Sequence, residues 1–179
     1  MEKLIRDLLK KIGEDPTREG LAETPRRVAA AWEKLSEGYK MDPKEVVTTF
    51  SAENYDEMIV VKNIEFYSLC EHHLLPFFGR VTVGYIPGKK IIGLSKIPRL
   101  VEIYSRRLQN QERMTRQIAD SLQDLLKPKG VGVIVSGTHL CTRMRGVEKE
   151  NAEMVTSALT GLFKKDPKTR EEFLRLAGK

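Results

Sequence analysis

The sequence predicts an α+β fold built on a mainly antiparallel sheet, and three observations lead there. Two runs rich in β-branched and aromatic residues follow one another, Met58 to Cys70 and Phe77 to Ile86. Two runs with apolar residues at three-to-four spacing come next, Pro98 to Leu108 and Glu112 to Leu126. Alternation then returns from Gly130 to His139, so strands and helices arrive in blocks.

Each element has its own signal. Leu4, Ile5, Leu8, Leu9 and Ile12 recur at helical spacing until Gly13 ends the run. Asp15-Pro16-Thr17 punctuates, and Thr24-Pro25 reads as an N-cap followed by proline at the first helical position, opening a helix through Val28, Ala29, Trp32 and Leu35 to Gly38. Residues 1–50 thus form an N-terminal helical pair, and residues 51–179 hold the sheet. Pro87-Gly88-Lys89-Lys90 makes a turn before Ile91 and Ile92, and polar Gln109-Asn110-Gln111 separates the two middle helices. Met154 to Phe163 fits either period and is read as a strand, followed by a short terminal helix. The expected product is a four-stranded antiparallel sheet with two helices on one face. Its other face and its edges stay uncovered, which favours burial by neighbouring subunits.

Composition narrows the class. At 179 residues, with 40% hydrophobic and 31% charged positions, the chain suits one soluble domain with a small helical appendage. No run approaches the roughly 18 apolar residues that span a bilayer, and the charged amphipathic start has no signal-peptide core, so a cytoplasmic location without membrane attachment is expected. The net charge of +6 favours an anionic partner. Nucleic acid is not expected, because there is no Lys/Arg block, helix-turn-helix pattern or aromatic-interleaved RNA-binding strand.

Both cysteines and all three histidines fall in two short segments, Cys70-Glu71-His72-His73 and His139-Leu140-Cys141, each at the end of an expected strand. A turn after Cys70 can bring His73 back beside it, so Cys70, His73 and Cys141 can converge as thiolate, imidazole and thiolate. Zinc suits that set, and three protein ligands leave a fourth tetrahedral position for water, whose pKa falls towards about 7 on coordination. His72 and His139 would sit beside the ligands, where one can shuttle protons. A closed structural zinc site, or buried cysteines with no metal, are the alternatives. Gly93-Leu94-Ser95-Lys96-Ile97-Pro98-Arg99 leads from a strand into a helix, a place where N–H groups and basic side chains hold phosphate oxygens. Arg145 adds a bidentate guanidinium near Cys141. Gln111-Glu112 heads a helix, serving either its dipole or recognition of a base.

Cys70-Glu71-His72-His73, Pro76-Phe77, Gly79, Tyr85-Ile86-Pro87, Gly93-Leu94-Ser95-Lys96, Gln111-Glu112-Arg113 and the stretch from His139 to Gly146 together resemble GTP cyclohydrolase I, and Thr24-Pro25-Arg26-Arg27 and Gly161-Leu162-Phe163 extend the likeness over nearly the whole chain. The resemblance implies the tunnelling fold, in which sheets of several subunits close into a barrel, with residues 51–179 as its catalytic domain. It implies a homodecamer of two pentameric rings with active sites at subunit interfaces, and conversion of GTP and water to 7,8-dihydroneopterin triphosphate and formate at the start of pterin and folate synthesis. It implies Zn2+ on Cys70, His73 and Cys141, water activated there attacking C8 of guanine, and His139 protonating N7. His72 would assist proton transfer and Ser95 the later rearrangement. Glu112 with Gln111 would recognise the guanine edge, while Lys96, Arg99, Arg145 and, from a neighbouring subunit, Arg27 would hold the triphosphate.

Three positions depart from the family pattern: Pro98 in the Ser-Lys helix start, Leu108 where proline is common, and Asn110 where an apolar residue is usual. Little sequence precedes the first helix, so feedback through an extended N-terminal segment is not expected. Two rivals differ in chemistry. A nitrile reductase of the same fold would use a nucleophilic cysteine without this zinc set, and a zinc-stabilised binding protein would saturate its metal.

Overall fold

A computed structural model describes residues 1–178. The helices are α1 (Glu2–Lys11), α2 (Thr24–Leu35), α3 (Pro43–Val46), α4 (Lys96–Ser105), α5 (Gln111–Leu126), α6 (Leu140–Arg143), α7 (Gly161–Lys165) and α8 (Pro167–Ala177), with a 3-10 turn at Glu37–Lys40. The strands are β1 (Thr49–Ser51), β2 (Ile59–Cys70), β3 (Pro76–Ile86), β4 (Lys90–Ile92), β5 (Leu108–Gln109), β6 (Gly130–His139) and β7 (Met154–Leu159). None of these helices is long and apolar enough to cross a membrane.

The α+β expectation holds, and several details differ. The main sheet has five strands, in the order β5-β2-β3-β6-β7, and β1 pairs with β4 in a separate two-stranded sheet. The additional strand, β5, arises because α4 ends at Ser105 instead of Leu108, which frees Leu108 and Gln109 to pair parallel with Leu69 and Cys70. The expected strand from Met154 to Phe163 stops at Leu159, and α7 starts at Gly161, where φ is +48 and a Cβ would lie 2.2 Å from the Lys129 carbonyl oxygen. At the start of α2 the capping position belongs to Glu23, and Thr24 is already helical.

Strand β2 does not keep a strict period of two. Val61 pairs with Val83 and Ile64 with Val81, so Lys62 and Asn63 together oppose Thr82, and Asn63 takes a left-handed φ of 58. This bulge returns Ile64 and Phe66 to the face already used by Ile59 and Val61. That face is the main core. Phe66, Phe77, Val81, Val83, Val131, Val133 and Val135 meet Ile97, Leu100 and Val101 of α4 and Met114, Ile118, Ala119, Leu122 and Leu126 of α5. Asn110 accepts from the Arg113 amide at 2.8 Å and caps α5, whose C-terminus closes on left-handed Lys127.

The opposite face is covered at one end, contrary to the expectation of a bare face. Asp166 caps α8 and Pro167 starts it, and the helix brings Phe173 edge-on to Phe163, 5.2 Å between ring centroids. Both rings lie over Gly84 and Gly132, which pair directly across β3 and β6. At either glycine a Cβ would come within 2.7 Å of Phe173. The other end of this face is open, a groove of about 490 Å³ lined in part by Glu65, Tyr67, Phe78, Arg80 and Thr138.

Gly132→Ala should therefore destabilise the fold by about 1–3 kcal/mol through overpacking, read as a lower urea midpoint. Adding Phe173→Leu should recover part of the loss, and an unchanged midpoint for the single variant would show that the ring does not need the bare backbone.

Candidate metal centre and active site

The site lies at one end of the main sheet because the register puts the chain reversals there. Leu69 pairs with Pro76 and Phe77 with His139, so the end of β2, the start of β3 and the end of β6 are adjacent. After Cys70 the chain turns tightly. The His73 and Leu74 amides both donate to the Cys70 carbonyl, the Cys70 amide donates to Leu75, and Leu74 adopts a left-handed φ of 56. The reversal swings His73 back, Nδ1 lying 3.6 Å from the Cys70 sulfur. Cys141 arrives from the far side on α6, the single turn that follows β6.

The three donor atoms of Cys70, His73 and Cys141 all lie within 4.8 Å of one another, and among the described residues no fourth Cys, His, Asp or Glu joins the group. Both sulfurs are buried. Burial, and then Cys70 beside it, push the Cys141 thiol up, against a smaller pull from Arg145. Two adjacent thiols resist ionising together, and a divalent cation between them removes that penalty. Two soft sulfurs and an imidazole nitrogen therefore fit a borderline-soft divalent metal.

Around this group the other histidines take distinct positions. His72 is exposed, its Nδ1 3.9 Å from the Cys70 sulfur and its Nε2 3.7 Å from a Glu71 oxygen. His139 is half-buried, stacked on Phe77 with ring centroids 4.6 Å apart and planes 5° from parallel. Burial lowers its pKa, opposed by the charge of Glu112. Arg145 reaches the group directly, Nη1 lying 3.0 Å from Nε2 of His73.

Gln111 is turned into the fold. Its side chain is fully buried, its amide nitrogen donates to the Val135 and Met154 carbonyls, and its oxygen faces Nε2 of His139 at 2.9 Å. Those contacts hold its side chain inside the fold, whereas Glu112 beside it is exposed. Among the described residues, no hydrogen bond or ion pair joins Ser95, Lys96, Arg99 or Arg27 to the Cys/His group. Ser95 precedes the first turn of α4, Lys96 and Arg99 lie within that turn, and exposed Arg27 is on α2.

Sequence reasoning missed the clasp behind the metal turn. Glu71 pairs with Arg113 and accepts from the Asn110 side chain at 3.1 Å, and the arginine holds its carboxyl below the usual range. Glu71 within Cys-Glu-His-His was the available signal, but its partner lies far along the chain. The Phe77 stack was also missed, although strand pairing places Phe77 opposite His139.

Comparisons with known proteins identify the family. A family model described as GTP cyclohydrolase I matches residues 1–178. The chain is 57% identical over 175 residues to a GTP cyclohydrolase 1 of Wolinella succinogenes, covering 97% of this chain and 94% of that one. It is 59% identical over 177 residues to the protein of the same name from Leptospira biflexa, covering 98% and 97%. The Deinococcus radiodurans protein of that name is 57% identical over 176 residues, covering 97% and 81%. Among solved structures, the apo archaeosine synthase QueF-Like superposes with a TM-score of 0.49 at 18% identity, over 58% of this chain and 93% of that one. With a match along its full described length and relatives of this similarity, the chain belongs to the GTP cyclohydrolase I family.

Proposed function

We propose that the chain opens the imidazole ring of GTP by hydrolysis, releasing formate and forming 7,8-dihydroneopterin triphosphate, the first step towards pterins and folates. The observation that carries this reading is the convergence of Cys70, His73 and Cys141 without a fourth side-chain donor among the described residues, in a member of this family. An incomplete donor set favours a working metal over the saturated site of a structural one.

Cys70, His73 and Cys141 hold zinc in this proposal. When bound, the ion supplies the Lewis acidity that makes water nucleophilic near neutral pH, its pKa lowered to about 7. His139 delivers a proton to N7 of the guanine so that the bond to C8 can break, and exposed His72 exchanges protons with solvent. Glu112, in the first turn of α5, accepts hydrogen bonds from the N–H groups on the guanine edge. Ser95 serves the later ribose rearrangement and ring closure. Lys96, Arg99 and Arg145 hold the triphosphate through charge-assisted contacts, joined by Arg27 of a neighbouring subunit.

That intersubunit arrangement goes with a homodecamer of two pentameric rings, the sheets of residues 51–179 closing into the barrel of the tunnelling fold and residues 1–50 packing as a helical appendage. The groove left open on the sheet and the edge strand β7, with Val155 more than half exposed, support it. The two free thiols favour a reducing compartment, the cytoplasm.

The direct test is formate release from GTP by zinc-loaded protein, with oxidation of the product to a fluorescent pterin. Chelation or Cys141→Ala should abolish both signals, and zinc-loaded protein that yields neither would refute the function. His139→Ala should keep zinc by elemental analysis and slow ring opening about 10²- to 10⁴-fold. Loss of metal along with activity would instead mark His139 as part of the metal site. Arg145→Ala should raise the KM for GTP and affect guanosine much less, and an equal loss for both would contradict a phosphate role.

A further inference from the structure

The partners around Gln111 determine which way its amide faces. Its amide nitrogen lies 3.0 Å from the Val135 carbonyl oxygen, 2.9 Å from that of Met154 and 3.1 Å from the Thr156 hydroxyl. Carbonyl oxygens only accept, so the NH2 end of the amide must face them and the group cannot be flipped. The hydroxyls agree. Thr115 donates to the backbone carbonyl of Gln111 at 2.6 Å, so in its 2.7 Å contact with Thr156 it accepts. Thr156 has then given its one proton to Thr115, and its oxygen can only accept, so the two hydrogens of the Gln111 amide are shared among three acceptors.

The other end of the amide follows. The Gln111 Oε1 atom, an acceptor only, stands 2.9 Å from Nε2 of His139, so that nitrogen must carry hydrogen. A bare backbone makes the approach possible. A Cβ on Gly137 would sit 2.3 Å from Gln111 Oε1 and 3.7 Å from His139 Nε2. Gly137 has no left-handed φ, so space and not backbone conformation accounts for glycine here.

We propose that Gln111 is a positioning residue for His139: its buried, fixed amide keeps the imidazole in the tautomer protonated on Nε2 and leaves Nδ1 as the nitrogen that exchanges a proton with the substrate. The inference rests on the reading of His139 as proton donor to guanine. Residues that act through a neighbour's tautomer affect turnover and not the affinity of ligand groups they never touch. Gln111 is thereby assigned a role in the chemical step in place of the guanine contact expected from its position beside Glu112.

With three histidines in the chain, ring-15N labelling of the full-length, zinc-loaded protein and solid-state NMR can read the tautomer, the His139 signals being identified by their loss in His139→Ala. The wild type should show an N–H type Nε2 and an unprotonated Nδ1 in neutral His139. Gln111→Met should mix or reverse that pattern and lower kcat for formate release about tenfold or more, with KM for GTP and zinc content unchanged. Gly137→Ala should move the same readouts in the same direction. A wild-type His139 protonated on Nδ1, or a folded, zinc-loaded Gln111→Met with wild-type kcat and tautomer, would overturn the proposal. If Gln111→Met does not fold, the wild-type spectrum and Gly137→Ala decide. Wild-type protein without GTP turnover would instead count against the function, while the spectrum would still decide the tautomer.

Discussion

The antiparallel register of β2, β3 and β6 is the constraint on which the site depends. Leu69 opposite Pro76 and Phe77 opposite His139 place the Cys70 reversal and the β6–α6 corner at one end of one sheet. A one-residue slip would turn every side chain to the other face, burying Glu65 and exposing Phe66 while parting Phe77 from His139. Register is specified by the core. Valines at 81, 83, 131, 133 and 135 interlock beneath α4 and α5, so the apolar packing that holds the sheet also sets the distance between the sulfurs.

Much of this was legible in the sequence because the strongest local signals coincide with the elements that position the chemistry. The clustering of every cysteine and histidine at two strand ends pointed to the Cys70, His73 and Cys141 group that the fold brings together. The losses came where tertiary contacts override local pattern. Nothing in the period of Pro98 to Leu108 shows that the helix stops at Ser105, since β5 exists only by pairing with the end of β2. The bulge at Asn63 is hidden because a run of β-branched residues reads as a strand on either side of it. The burial of Gln111 was not legible because burial cannot be inferred for a polar residue at the head of a helix. Its partners lie on β6 and β7, far along the chain.

The two layers of the site obey different physics. Cys70, His73 and Cys141 are brought together by backbone topology, with both cysteines buried. Behind them stand polar clasps, Glu71 with Arg113 and Asn110 on one side and Gln111 with His139 on the other. Both clasps start from the first turn of α5 or the residue that caps it. That one helix terminus therefore sets the orientation of the metal turn and of the proposed proton donor, and it presents Glu112 beside them. A small displacement of α5 would disturb all three together, and its apolar face, with Met114, Ile118, Ala119 and Leu122 fully covered, holds it against the sheet.

The departures from the family pattern now have local reasons. Asn110 stands where an apolar residue is usual, and its side chain both caps α5 and donates to Glu71, work that an apolar residue cannot do. Leu108 stands where proline is common, and its amide donates to the Tyr39 hydroxyl at 3.0 Å, a bond that proline, lacking the hydrogen, could not make. Pro98 falls in the first turn of α4, where backbone amides have no partner within the helix and proline costs little. Among the described residues, no side-chain hydrogen bond joins any of the three to Cys70, His73 or Cys141. They adjust how the helices and the short fifth strand are fastened around a donor set that the register of the sheet has already assembled.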